Sequence, residues 1–266
     1  MKKLLTLLCF LQLHIAYAQD VAPIQAVGGK MQLHNFIEQE LIYPAQSFDN
    51  GTEGSVIIWF LVNENGGVTA SEFRQKVSPA CDEEAMRIFK MLEWLPATSI
   101  GIPLVDSSLL EIGFNIKKYK RLCKKRGYTT ILYPFEPIDS TGQIYFYKNL
   151  HVAPSPIFTN EKINLAGFIS ANLQYPEAAL KQNLSGFVKV AFIVESHGKP
   201  SNIHIVNSLG AGCNEEAIRI VRLIKWMPGT IDEKAVRTRM TLSINFNLEI
   251  APDGRYSPNV KSSYGG

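Results

Sequence analysis

Residues 81–96 read CDEEAMRIFKMLEWLP, and residues 213–228 read CNEEAIRIVRLIKWMP. Cys81, Glu83, Glu84, Ala85, Arg87, Ile88, Trp94 and Pro96 match Cys213, Glu215, Glu216, Ala217, Arg219, Ile220, Trp226 and Pro228 at a constant offset of 132 residues. Working outward keeps the offset. Upstream, Tyr43-Pro44, Gly54, Phe60 and Gly66 match Tyr175-Pro176, Gly186, Phe192 and Gly198; downstream, Phe114-Asn115 matches Phe246-Asn247. Residues 30–116 set against 162–248 without a gap give 25 identities in 87 positions. Solenoid and propeller units run about 20–50 residues, whereas a period this long is the size of a small domain. The chain is one domain written twice.

Each copy carries the same sequence of periodicities. Leu33, Phe36, Ile37 and Leu41, matched by Leu165, Phe168, Ile169 and Leu173, form one face of a helix. The Tyr-Pro pair ends it, because a proline pushes the residue before it out of the α region. Val56, Ile58, Phe60 and Val62, matched by Val188, Val190, Phe192 and Val194, alternate with period two as a strand does. Asn65-Gly66 and His197-Gly198 then tolerate the positive φ of a hairpin turn, and return strands are expected over 68–77 and 200–208. Asp82 and Asn214 open a second helix, with Ala85, Ile88 and Phe89 or Ala217, Ile220 and Val221 facing inward. A last strand closes each copy. In the second, Met240, Leu242, Ile244, Phe246 and Leu248 face in while Thr241, Ser243, Asn245 and Asn247 face out.

A right-handed crossover between the second and third strands places the third beyond the first. The expected fold class is therefore α+β: two tandem two-layer domains, each a small antiparallel sheet of order 2-1-3 packed against helices. The first strand is central and the last is an edge. The run Ile57-Ile58-Trp59-Phe60-Leu61 is apolar on both faces and asks for cover on both, so Trp59 is expected to be buried, unlike its counterpart Ala191.

The flanks set the compartment. Lys2-Lys3, the apolar stretch 4–15 and Ala16-Tyr17-Ala18 read as a secretory signal cleaved before Gln19. The expected division is 1–18 signal peptide, 19–116 first domain, 117–151 basic and aromatic linker, 152–250 second domain, and 251–266 flexible tail. Export places the protein in the periplasm. The total of 27 basic and 24 acidic residues is nearly balanced, and the basic excess sits mainly in the run 117–126, which reads as a strand end and linker. A nucleic-acid binder would carry one broad basic face instead. Cys81, Cys123 and Cys213 leave at least one thiol unpaired, and the matched positions of Cys81 and Cys213 suit a packing role in each copy. No Cys-x-x-Cys or His spacing suits a metal, and no cofactor is expected.

The Tyr-Pro pair, the Gly-x-Val-x-Val-x-Phe-x-Val strand of the second copy (Gly186 to Val194), the glycine turn, Cys-[Asp/Asn]-Glu-Glu-Ala-x-Arg, Trp-x-Pro and the closing Phe-Asn strand resemble the TonB C-terminal domain. The resemblance covers about residues 21–116 and 152–250 and comes twice in the same order. Ala97 stands where the family usually has Gly, as the second copy does at Gly229. Full-length transducers of this kind resemble an uncleaved membrane helix, a Pro-rich spacer and one such domain. Here the first domain follows closely on a cleavable segment, so what the resemblance implies is the module's binding habit: capture of a short segment of a TonB-dependent outer-membrane receptor, or of another envelope protein, along an edge strand. The main candidate edge is 238–248, with Thr241, Ser243, Asn245 and Asn247 outward; the second is 108–116. Unpaired N–H and C=O groups on such an edge accept an added strand. The alternative is a structural, dimerising envelope component whose tandem domains serve self-association. An enzyme is not expected: Glu83-Glu84 and Glu215-Glu216 read as helix-start acids, and no small-molecule substrate is implied.

Overall fold

A computed structural model describes residues 21–131, 134–158, 163–250, 256–258 and 262–265; the expected signal segment 1–18 lies outside the described residues. In the first repeat, α1 (Gly29–Glu40) and α2 (Ala45–Asp49) flank Tyr43-Pro44. A hairpin of β1 (Gly54–Val62) and β2 (Val68–Gln75) follows, then α3 (Pro79–Met91), β3 (Asp106–Phe114) and α4 (Ile116–Arg126). The strand order is β2-β1-β3, antiparallel throughout, as the periodicity and the crossover predict. Val56, Ile58, Phe60 and Val62 are fully buried against Ala85, Ile88 and Phe89 of α3.

After a short parallel strand β4 (Ile144–Phe146), the second repeat repeats the plan. It runs α5 (Leu165–Asn172), α6 (Glu177–Lys181), β5 (Gly186–Val194), β6 (Pro200–Asn207), α7 (Cys213–Leu223) and β7 (Lys234–Phe246). Its central order is β6-β5-β7, with Phe192 and Trp226 at the centre of the core. In both copies the turn glycine lies against the tryptophan: a Cβ on Gly66 or Gly198 would sit 2.3 Å from the carbonyl oxygen of Trp94 or Trp226. That close approach explains why the turn and the Trp-x-Pro segment keep their spacing.

Three expectations are corrected at the level of local structure. Helix α3 begins at Pro79, not Asp82. Ser78 caps it by accepting the Cys81 N–H at 3.2 Å, and proline is harmless in a first turn where its N–H would be unpaired. The second glutamate of each pair is not simply a helix-start acid. Glu84 accepts the Ile42 N–H at 2.7 Å and forks onto Arg87, which donates to Glu40 O at 2.6 Å. Glu216, Arg219, Gln174 N–H and Asn172 O repeat that clamp. The basic run is α4, not an extended linker. Asn115 caps it, Gly127 ends it in the left-handed region, and Tyr119 is buried in the first repeat's core.

The fourth correction concerns Trp59, which is half-buried, while Ala191 is 5% exposed. The reason is how the repeats dock. Cross-strand partners share a face of a sheet, so Ala191, Ile193, Arg237 and Arg239 lie on one side of the second sheet, away from its core. The end of α3 from the first repeat meets that side. Arg239 pairs with Glu93. Arg237 donates to Met91 O at 2.9 Å, and the Asn202 amide donates to Met91 O and accepts from Glu93 N–H, both at 3.1 Å. Asn202 reaches the seam because it is the positive-φ residue of a bulge in β6. Among the described residues the first sheet's equivalent side receives no such helix end, and the Arg74 guanidinium lies over Trp59 at 5.4 Å from its ring centroid.

Candidate protein-binding edge strands

The 13 residues of β7 make it the longest strand among the described residues. Its inner edge pairs with β5 from Gly186↔Phe246 to Val194↔Thr238. Met240, Leu242, Ile244 and Phe246 are fully buried below it, while Thr241, Ser243, Asn245 and Asn247 are half-exposed above it, in the alternation read from the sequence.

The outer edge of β7 carries two further strands. The segment Ile144–Phe146 pairs in parallel with Arg237–Arg239. The tail forms β8 (Ser262–Gly265), antiparallel to Thr241–Ile244, with Thr241 opposite Gly265 and Ser243 opposite Ser263. Asn245 and Asn247 lie beyond that register. Part of the stretch expected to be a flexible tail is thus ordered as a strand. Residues 248–250 and 256–258 pair with each other as well.

The corresponding edge of the first repeat differs. Strand β3 pairs with β1 from Gly54↔Phe114 to Val62↔Asp106, and among the described residues no strand adds to its other side. Leu110, Ile112 and Phe114 are buried, whereas Leu109 and Glu111 are exposed. The edge is shorter than the expected 108–116 at its end, because Asn115 turns into the cap of α4 and Ile116 starts that helix.

Sequence reasoning did not find the charged groups that hold the two edges in fixed relation. Glu40 of α1 and His197 of the second hairpin meet at 3.2 Å, with both side chains at or below 1% exposure. Burial raises the Glu40 carboxyl, but the His197 hydrogen bond and charge, with Gln39 and Arg87, outweigh it and hold the group below its ordinary value. Glu195 accepts from Arg237 at 2.8 and 3.0 Å and also from Ser201. Burial lowers the Arg237 guanidinium and Glu195 raises it further, so it stays charged. Arg237 Nη1 also donates to Gly142 O at 3.0 Å, which ties the segment before β4 to the seam. Lys199 lies 3.4 Å over the Tyr128 ring, with its amine drawn down to about 8 by burial. Cys81, Cys123 and Cys213 are free thiols.

Both repeats match one family model, that of the Gram-negative bacterial TonB protein C-terminal domain, over residues 39–116 and 171–248. Two solution structures of the Helicobacter pylori TonB C-terminal domain are similar in fold to about one repeat. One is 18% identical with a TM-score of 0.26, the match covering 33% of this chain and 92% of that one. The other, also 18% identical, has a TM-score of 0.25 and a match covering 32% and 78%. No curated protein matched the chain.

Proposed function

The chain belongs, through both repeats, to the TonB C-terminal family, and from that premise we propose that it is a non-enzymatic periplasmic protein that captures extended segments of envelope proteins by strand addition. The ligand class is the short terminal segment of a TonB-dependent outer-membrane receptor or a comparable extended segment of another envelope protein. The single observation that carries this reading is that the outer edge of β7 already holds two added strands, one parallel and one antiparallel. An edge that pairs with backbone in both directions reads little side-chain identity, which suits capture of a main chain. Thr241, Ser243, Asn245 and Asn247 are then the outward residues of the binding strand of the second repeat, and the edge of β3 serves the first. No helix among the described residues is long and apolar enough to cross a membrane.

The test is titration of a receptor-derived N-terminal peptide into the full chain with amide shifts mapped by residue. Shifts centred on 241–247 or 106–114 are expected. Single truncations of Thr241 or Asn245 to Ala should change binding little, whereas Ser243→Pro should remove capture at β7 by disrupting the strand's backbone pairing. Shifts confined to Val188–Val194 or to the helices would defeat the proposal.

Self-association is the second reading, favoured by the outward face of the first sheet. Ile57, Trp59 and Leu61 are half-exposed there, and Leu109 is 60% exposed. Sedimentation equilibrium of the full chain and of Leu109→Lys separates the two: a dimer that Leu109→Lys dissociates supports self-association, and a monomer at all concentrations rejects it.

A further inference from the structure

The two repeats present the same edge in different states, and this bears on how the proposed capture is controlled; the inference rests on the strand-addition reading above. We propose that the C-terminal segment Ser262–Gly265 is an internal ligand of the second repeat. It occupies the edge of β7 where an incoming strand would pair, so a partner binds there only by displacing it, while the edge of β3 stays open.

The register carries the first part of the inference. The four residues of β8 stand opposite Thr241, Leu242, Ser243 and Ile244, within the stretch 238–246 in which buried and outward residues of β7 alternate. Beside it, β4 covers Arg237–Arg239. Between them the two segments line the edge from Arg237 to Ile244, with only Met240 outside both pairings. In the first repeat neither device has a counterpart: β3 leads directly into α4, and among the described residues nothing pairs with its outer edge.

The second part concerns how firmly each segment is held. The stretch before β4 is anchored, because Gly142 O accepts from Arg237 deep in the seam and Asp139 N–H donates to Ala235 O at 2.9 Å. Among the described residues the tail shows no such anchor in its backbone pairing: four residues pair with β7 on one side, and no described strand pairs with the other. Such one-sided terminal strands open at low free energy. A tethered segment nonetheless acts at an effective concentration of roughly millimolar for a short flexible linker. A weak intramolecular strand therefore raises the apparent dissociation constant of an outside competitor by the ratio of closed to open edge. The anchored segment fixes the geometry of the edge, and the tail sets its availability.

The occupant also describes its competitor. Ser262, Ser263, Tyr264 and Gly265 are held against β7 by backbone pairing, so the competitor is an extended segment whose backbone does the pairing.

The experiment compares the full chain with a variant ending at Pro258, and uses two probes: a synthetic peptide of residues 256–266 and the receptor-derived peptide. Backbone exchange at 241–244 should be slow in the full chain, at least about tenfold faster in the shortened one, and slow again when the 256–266 peptide is added. Tyr264→Pro in the full-length chain should mimic the shortening without removing residues. Exchange at 241–244 that is unchanged by both variants would overturn the internal ligand. The receptor peptide should bind β7 of the shortened chain about tenfold or more tighter than β7 of the full chain. Equal binding at β7 would overturn the gate while leaving strand capture intact. Rescue of protection by the 256–266 peptide alone, with no receptor peptide bound to either chain, would uphold the internal ligand and remove the receptor as its competitor.

Discussion

Replacing Arg237 by alanine tests the docking of the repeats most directly. The guanidinium is 7% exposed and donates to four acceptor atoms on three segments: both Glu195 oxygens at 2.8 and 3.0 Å, Met91 O at 2.9 Å and Gly142 O at 3.0 Å. Arg237→Ala leaves Glu195, itself 1% exposed, with Ser201 as its hydrogen-bond donor inside the seam. Removing one partner of a buried pair costs about 3–5 kcal/mol, because the remaining charge stays desolvated. The two carbonyls that lose a donor push the figure toward the upper end. For a chain of this size, a loss of about 4 kcal/mol corresponds to a fall in Tm of roughly 8–16 °C. Calorimetry and urea unfolding followed by tryptophan fluorescence give the measurement. The paired replacement Arg237→Met with Glu195→Gln should recover part of the loss, since no charge is then stranded. A single-mutant effect within about 0.5 kcal/mol, the range of surface changes, would refute the reasoning and mean that the seam is wet.

Glu40 gives a pH dependence of definite sign. Its carboxyl is held below the ordinary value of 4.5, so its contribution is present above that value and is lost as pH falls through the lower, folded one. Thermal unfolding from pH 7 to pH 3 should therefore fall more steeply for the wild type than for Glu40→Gln, and parallel curves would contradict this. Trp59→Ala should change stability by less than about 1 kcal/mol, whereas the fully buried Trp226→Ala should cost about 3–5 kcal/mol in urea unfolding; equal effects would show that the first sheet's outer face is covered. Gly198 has a φ of +84° and no room for a methyl group against Trp226 O, so Gly198→Ala should lower stability by about 2 kcal/mol or more, the left-handed penalty plus the clash, and a neutral result would contradict the packing of that turn.

The framework of each domain was legible because its signals are local and duplicated. Val56 to Val62, Gly66, the Cys81 helix and Trp94 each specify one element, and their repetition at Val188 to Val194, Gly198, Cys213 and Trp226 separates signal from accident. The candidate edge at Thr241 to Asn247 was legible for the same reason, being a clean period of two. What the sequence concealed depends on contacts between distant segments. In α4, Ile116, Tyr119, Leu122 and Cys123 form an inward face, but the surrounding lysines and arginines mask that periodicity. The tail strand Ser262–Gly265 has no alternation to read, since it is held through its backbone. Trp59 was misjudged because apolar residues on two faces ask for cover without saying whether the chain supplies it. The docking groups left one trace: Glu40, Glu195, His197, Asn202, Arg237 and Arg239 stand where the other copy has Asn172, Asn63, Asn65, Ala70, Val105 and Ser107. At these six positions the copies differ where they touch.

That disagreement gives the tandem a direction and an end. In a solenoid every unit offers the same donor and acceptor surfaces, so the array grows by adding more of the same. Here the receiving surface exists only on the second unit, and the first offers small or neutral side chains at the matching positions. A third copy placed ahead of the first would find neither the arginines for its helix-end carboxylate and carbonyl, where Val105 and Ser107 stand, nor the histidine for its glutamate, where Asn65 stands. Divergence of a handful of side chains has turned a duplication that could have been open-ended into a closed pair.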